Sequence, residues 1–153
     1  MKTMVCQSSS TGITMAFGRK LGERIDRGGC ILLEGELGAG KTTFVQGLAQ
    51  GLGINTPITS PTFVLLNVYP LPQSSLLKQL IHIDLYRITE EASLAQLDLE
   101  SLQADPNNLL IIEWPERSIQ PWKNVLGTLT FTTGDFNHRY IKYDGLLLQW
   151  LGA

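Results

Sequence analysis

The chain has 153 residues, a length that suits one domain able to bury roughly two-thirds of the surface its unfolded form exposes. Hydrophobic residues make up 43% of it and charged residues 17%, which excludes a disordered chain, and no apolar run is long enough to span a bilayer. The net charge of -2, with lysines and arginines scattered singly, excludes a large basic surface for nucleic acid. We therefore expect one domain, residues 1–153, and a cytoplasmic location, since no signal peptide is visible.

The first part of the chain predicts two amphipathic helices around a buried strand. Apolar residues recur at helical spacing from Thr14 to Ile25. The nearly continuous apolar run 30–34 has the length of a strand covered on both faces. After a glycine-rich loop, residues 42–53 carry a second helical stripe, although Gly47 and Gly51 each cost a helix about 1 kcal/mol relative to alanine.

The rest of the chain predicts three further strands, a short helical region and a terminal hairpin. Residues 62–69 and 79–86 have strand composition, and the short connection between them favours an antiparallel pair. Thr89 followed by two acidic residues is a typical helix start, so one or two short helices are expected there. Residues 107–114 predict another buried strand, and the short apolar pieces of 127–150 predict a hairpin or meander.

Residues 35–42 read GELGAGKT and match the pattern GxxxxGK[ST] of a phosphate-binding loop. The loop lies between a predicted strand and a predicted helix, which is the context that this motif needs. Its glycines let successive backbone N–H groups point at the phosphates, and the helix N-terminus adds its positive end. Lys41 is then expected to reach the outer phosphates and Thr42 to coordinate Mg²⁺. The predicted fold is α/β: a P-loop NTPase-like mixed sheet with helices on both faces and a C-terminal β-hairpin or meander.

A phosphate loop of this kind needs a second magnesium-side carboxylate at the end of a neighbouring strand, and two residues qualify. Glu113 ends a buried strand, although Asp is the usual residue at that place. Asp84 ends another, and strand alternation puts it on the same face as His82 and Tyr86. Each acid also has a plainer interpretation: Glu113 as an acid that leaves the core, and Asp84 as a helix cap or a partner of Arg87.

Two more segments carry residues suited to such a site. TSPTF, residues 59–63, brings three hydroxyl groups to the region where switch segments often lie, and a threonine there could sense the terminal phosphate. An ordinary entry into a strand would have the same composition. In EWPER, residues 113–117, Trp114 is either exposed for contact with a partner or part of the packing.

Four motifs, in this order and at these separations, together resemble one family: LEGELGAGKTTF, TSPTF, IHIDLYR and IIEWPER. It is the small bacterial P-loop ATPase of tRNA threonylcarbamoyladenosine biosynthesis, the TsaE (YjeE) family. The resemblance covers residues 14–114 and extends loosely to the C-terminal hairpin. It implies a cytoplasmic ATPase that uses ATP and Mg²⁺ and is slow until partner proteins stimulate it.

The resemblance also implies partners. In that family the ATPase docks on a heterodimer of the threonylcarbamoyl transferase and its non-catalytic paralogue, of the TsaD and TsaB type. That assembly modifies adenosine 37 of tRNAs that read codons starting with A. This chain would not transfer the group itself, and its contact with tRNA would be indirect, through the complex.

The family's site residues carry over onto matching positions of this chain. Thr42 and Glu113 would hold Mg²⁺, and the catalytic set would be Lys41, Glu113 and Asp84, with Asp84 near the metal or the attacking water. Trp114 would lie at the strand end beside them.

The implied nucleotide-binding set is larger and includes a switch residue, Thr62. Thr14, in the first helix, and Arg139, in the terminal hairpin, would lie near the nucleotide, and Thr11 remains an alternative to Thr14. The whole set is Glu36, Leu37, Gly38, Ala39, Gly40, Lys41, Thr42, Thr43, Thr14, Thr62 and Arg139.

Other nucleotide-binding functions compete with this interpretation. A small-molecule P-loop kinase usually brings several arginines over the phosphates in a lid, whereas this chain scatters its arginines and has no lid-like insertion. A GTPase would need an Asn-Lys-x-Asp stretch, and the sequence has none. A nucleotide sensor without enzymatic activity would differ from the proposed ATPase only in whether hydrolysis matters for its function.

Overall fold

The described part of the chain, which in this computed structural model is residues 1–61, 64–73, 75–88 and 94–152, includes seven strands and four α-helices. The strands are β1 (Met4–Ser8), β2 (Gly29–Gly35), β3 (Leu66–Pro70), β4 (Gln79–Asp84), β5 (Asn108–Glu113), β6 (Val125–Thr133) and β7 (Arg139–Tyr143). The helices are α1 (Thr11–Arg24), α2 (Lys41–Gly51), α3 (Leu99–Ala104) and α4 (Leu147–Leu151). None of these helices is both long and apolar enough to cross a membrane.

The strands form one mixed sheet in the order β1-β7-β6-β2-β5-β4-β3. The four central strands, β6, β2, β5 and β4, are parallel, while β3, β7 and β1 are added antiparallel at the two sides. The predicted antiparallel pair, here β3 with β4, and the predicted C-terminal hairpin, here β6 with β7, are therefore confirmed. The central position of β2 brings the loop that follows it to the middle of the sheet.

Helices cover both faces of the sheet. On one face Leu21 of α1 and Phe44 of α2 share a buried cluster with Leu33 of β2. On the other face Leu102 of α3 packs against a cluster that includes Ile112 of β5. The predicted α/β architecture with helices on both faces is thus confirmed, and the core lies in two apolar layers divided by the sheet.

Glycines let α1 and α2 approach at backbone distance. A Cβ atom added at Gly47 would lie 1.9 Å from the carbonyl oxygen of Met15, and one at Gly18 would lie 2.2 Å from that of Phe44. Neither position has room for a side chain, so the low helix propensity of these glycines is offset by the close packing they permit. The glycines of this helix contact are Gly18, Gly22, Gly47 and Gly51.

Substituting Gly47 with alanine should destabilise the protein by about 3 kcal/mol, because the added methyl group overlaps a main-chain oxygen that cannot rotate away. Urea unfolding followed by circular dichroism measures the change. Gly12→Ala, a glycine substitution in the partner helix α1, is the matched control, since its Cβ would meet only the Ser10 hydroxyl at 3.7 Å. Equal free energies of unfolding for the two variants would contradict the proposed helix contact.

Two element boundaries differ from the sequence predictions. Helix α1 begins at Thr11 rather than Thr14, because the Ser10 hydroxyl accepts a hydrogen bond from the Ile13 N–H and caps it. Strand β3 begins at Leu66, since Leu65 has a left-handed φ of 66°. Residues 62 and 63 of the predicted strand, and the helix start predicted at Thr89, lie outside the described residues.

The sequence prediction was wrong for the last piece of the meander and omitted the first strand. Residues 147–151 form helix α4, because Leu147, Trp150 and Leu151 bury one side at helical spacing. Gly145, with a φ of 64°, turns the chain between β7 and this helix. Strand β1 is mostly exposed and has no apolar alternation, so the sequence carries no pattern that predicts its pairing with β7.

Candidate functional site

The phosphate-loop motif joins β2 to α2, as the sequence predicted. Strand β2 ends at Gly35 and α2 begins at Lys41. Gly38 and Gly40 have φ values of 78° and 106°, a left-handed conformation that side chains disfavour. Gly40 is also the N-cap of α2 and supplies no capping side chain. The first N–H groups of the helix therefore face the loop, in the arrangement that binds anions.

The two predicted carboxylates lie at the ends of adjacent strands beside this loop. Strands β4 and β5 are parallel neighbours, and Asp84 pairs in register with Glu113. Both side chains are buried, with 6% and 2% of their surface exposed. With the loop they border a cavity of about 470 Å³. Its lining is Leu37, Gly38, Gly40, Lys41, Thr42, Thr43, Ser60, Asp84, Tyr86, Arg87, Glu113 and Trp114.

Lys41 is buried at the centre of this cavity wall. Its Nζ donates a hydrogen bond to the carbonyl oxygen of Gly35 and lies 3.9 Å from the centre of the Trp114 ring. Burial lowers the pKa of Lys41, and the carboxylates of Glu113 and Asp84 are the largest opposing influences. The ammonium group is thus held among protein groups, where its attraction for anions is stronger than in water.

Asp84 accepts hydrogen bonds from a side chain and from the main chain. Its Oδ2 accepts one from the Ser60 hydroxyl at 3.0 Å, and its Oδ1 accepts one from the Tyr86 N–H at 2.9 Å. The bond to the Tyr86 N–H closes a local turn, and the place of Asp84 in the cavity wall matches the functional interpretation. Sequence reasoning named the TSPTF segment but assigned no role to Ser60, and Thr62 lies outside the described residues.

Glu113 has a histidine partner that sequence reasoning did not assign. The Nε2 atom of His82 lies 3.1 Å from Oε2 of Glu113, and both side chains are almost wholly buried. The signal was present in the strand alternation, which puts His82 on the same face as Asp84. The alternation identified the face but not the contact, because the contact depends on how β4 and β5 align.

Trp114 lies in the wall of the cavity. It has a left-handed φ of 59° and is half-buried, and its ring centre is 5.1 Å from that of Tyr86. The guanidinium of Arg117 lies 5.3 Å from the Trp114 ring and donates to the Tyr86 carbonyl at 3.0 Å. Trp114 therefore lies within contact distance of two cations, Lys41 and Arg117.

A second cavity, of about 300 Å³, shares Gly38, Gly40 and Thr43 with the first and is also lined by Thr14 and Arg139. Two predicted positions, Glu36 and Ala39, line neither of these cavities. Thr11 and Thr14 both line it, so the alternative between them stays open. The Thr14 hydroxyl is bonded to the Ser8 hydroxyl at 2.7 Å, whereas Thr11 is exposed. Arg139 donates to the Gly38 carbonyl at 3.5 Å. Other lining residues, which sequence reasoning did not name for the site, are Ser9, Ser10 and Asn137.

A larger cavity, of about 640 Å³, lies between residues 94–103 and 118–123. It contains neither the phosphate loop nor the carboxylates at the ends of β4 and β5. Size alone would favour it, but the charged and backbone groups that suit a phosphate ligand lie in the smaller cavity. We therefore place the candidate site at the loop.

Comparison with known proteins agrees with the motifs. The family model for the threonylcarbamoyl adenosine biosynthesis protein TsaE matches residues 8–141. The tRNA threonylcarbamoyladenosine biosynthesis protein TsaE of Nostoc sp. is 44% identical over 130 residues, which are 82% of this chain and 76% of that protein. The protein of the same name from Treponema pallidum is 40% identical over 114 residues, 74% of this chain and 80% of its own.

A solved structure has the same fold. The crystal structure of Bacillus subtilis YdiB superposes with a TM-score of 0.71 at 25% identity, over 97% of this chain and 89% of that one. The family match extends over most of the sheet and includes the loop, both carboxylates and the tryptophan. The chain therefore belongs to the TsaE family, whose role is in the biosynthesis of tRNA threonylcarbamoyladenosine.

Proposed function

We propose that this protein binds ATP with Mg²⁺ at the loop and hydrolyses it in support of tRNA threonylcarbamoylation. Hydrolysis is slow in the protein alone and faster when it docks on the transferase and its non-catalytic paralogue. The protein does not transfer the threonylcarbamoyl group. The observation that carries this proposal is the meeting of Lys41, Asp84 and Glu113 beside an uncapped helix N-terminus.

The oxygen groups of the cavity fit a magnesium ion. Mg²⁺ prefers hard oxygen ligands and is usually bound by one or two carboxylates together with the phosphates of its nucleotide. The cavity offers the Glu113 and Asp84 carboxylates and the Thr42 hydroxyl. In the proposal Thr42 and Glu113 hold the ion, which would neutralise charge on the outer phosphates.

The two cavities suggest how the nucleotide lies. Gly38, Gly40 and Thr43 line both, so the loop is their common wall. The carboxylates and Lys41 border only the first cavity, which suits the terminal phosphate. The hydroxyl-rich second cavity, with Arg139 at its edge, suits the nucleoside. ATP would thus lie across the loop, with its phosphates over the helix N-terminus.

The carboxylates also supply the chemistry of hydrolysis. The hydrogen bonds from Ser60 and Tyr86 hold Asp84 in place in the cavity wall. Asp84 would orient the attacking water, while Lys41 and Arg87 stabilise charge on the phosphates. Docking of the partners would complete the site, which explains low activity in the free protein.

ATP turnover measured with and without the transferase heterodimer and tRNA tests this proposal. We expect slow release of inorganic phosphate from the protein alone and a rise of at least tenfold on adding the heterodimer. Phosphate that appears on a metabolite, with no response to the heterodimer, would favour the kinase. Nucleotide binding without turnover in every mixture would leave a sensor instead.

A further inference from the structure

His82 is a buried polar residue on a sheet face that is apolar up to the strand ends, where Asp84 and Glu113 lie. It is completely buried on β4, and neighbouring positions of that face are the apolar residues Leu80, Leu109 and Ile111. Its hydrogen-bond partner, Glu113, is also buried. Replacing a buried charged pair with apolar residues is often neutral or stabilising, so core packing alone gives weak reason for this pair.

The geometry of the pair defines which atom donates. The Nε2 atom of His82 lies 3.1 Å from Oε2 of Glu113, whereas Nδ1 is buried without a hydrogen-bond partner among the described residues. A neutral ring with its proton on Nε2 donates to the carboxylate and leaves Nδ1 as a bare acceptor. The other tautomer would set two acceptors against each other and bury an unsatisfied N–H group, which costs more.

This hydrogen bond constrains one oxygen of Glu113 and leaves Oε1 for a ligand. Glu113 lines the cavity beside the loop, whereas His82 does not. Partners that hold a metal ligand in place typically account for 10–100-fold of metal affinity or activity, because they fix the orientation of the ligand. A glutamate side chain has three rotatable bonds, so the restriction matters more than it would for a shorter aspartate.

We propose that His82 is a positioning residue: its Nε2–H fixes the Glu113 carboxylate so that Oε1 is directed at the nucleotide-bound cation. The inference rests on the proposed function, since it concerns the metal that the nucleotide brings. It explains how the longer glutamate can serve where aspartate is usual. The hydrogen bond from His82 restricts a carboxylate that would otherwise be more mobile than that of the shorter aspartate.

Two substitutions of His82 by amide side chains of different length test this inference. The amide of His82→Gln extends about as far as Nε2 and can still donate to Glu113, whereas that of His82→Asn is too short. The probe is Mn²⁺, whose binding to the protein–ADP complex is followed by electron paramagnetic resonance rather than by activity. His138→Asn, which changes the half-buried histidine between β6 and β7, is the control.

We expect His82→Asn to weaken Mn²⁺ binding by about 10–100-fold and His82→Gln by about threefold at most. ADP affinity without metal should stay within about twofold in both. If His82→Asn does not fold, His82→Met, of similar length but unable to donate, replaces it with the same expectation. The inference alone is overturned if the non-donating variant binds Mn²⁺ as tightly as wild type. It is also overturned if His82→Gln and the non-donating variant lose Mn²⁺ affinity equally. A wild-type protein that binds no Mn²⁺ with ADP overturns the proposed function too.

Discussion

Lys41→Ala is expected to weaken ATP binding by about 100-fold or more, which corresponds to roughly 2.7 kcal/mol or more. The substitution removes the cation that the loop presents to the outer phosphates, from a buried position where charge is poorly screened. It also removes a cation that interacts with Glu113 and Asp84, so the cavity becomes more repulsive to an anion. Isothermal titration calorimetry with ATP and Mg²⁺ measures the loss.

The control for this substitution is Lys142→Ala, which removes an exposed lysine from β7. It changes the net charge of the chain by the same amount, so it separates the local effect from a general one. Circular dichroism should show that both variants fold. ATP affinity that falls equally in the two variants would mean that Lys41 makes no specific phosphate contact.

Glu113→Gln is expected to lower Mg²⁺-dependent ATP turnover by about 100-fold, which corresponds to roughly 2.7 kcal/mol of activation free energy. Glutamine has nearly the same shape but no charge, so it fills the same space and holds the cation poorly. ATP binding without Mg²⁺ should change by less than about threefold, because Lys41 and the helix N-terminus remain. Turnover as a function of Mg²⁺ concentration separates weak metal binding from a slower chemical step.

Glu116→Gln is the matched control, because Glu116 lies three residues further along the chain and is exposed. Its turnover should stay within about twofold of wild type. If Glu113→Gln kept full turnover at every Mg²⁺ concentration, the metal-binding role of Glu113 would be wrong. Asp84 would then be the better candidate for the carboxylate that holds the metal.

Local sequence patterns were sufficient for the elements that build the site. The apolar runs before the loop and before Glu113 have the length of buried strands, and the stripe after the loop has the period of a helix. Parallel strands meet at their carboxyl ends, so the sequence could place Asp84 and Glu113 near the loop without a structure. The central sheet followed from the same local information.

Contacts that depend on alignment between strands could not be read in this way. The His82–Glu113 hydrogen bond follows from the register of β4 against β5, and the Ser60–Asp84 bond follows from the path of a loop. Neither leaves a periodic pattern in the chain. The same is true of β1, which is held by backbone pairing with β7 rather than by an apolar face of its own.

The glycine contact between α1 and α2 has a consequence for mutational scans of this family. A library in which every position is varied should show two groups of intolerant positions rather than one. The first is the loop and its carboxylates. The second runs along the facing sides of two helices, where no side chain fits because each backbone occupies the space that the other would need. If only the intolerant positions were mapped, the helix contact would be mistaken for part of the active site. Assays that measure protein abundance separately from ATP turnover would distinguish the two groups.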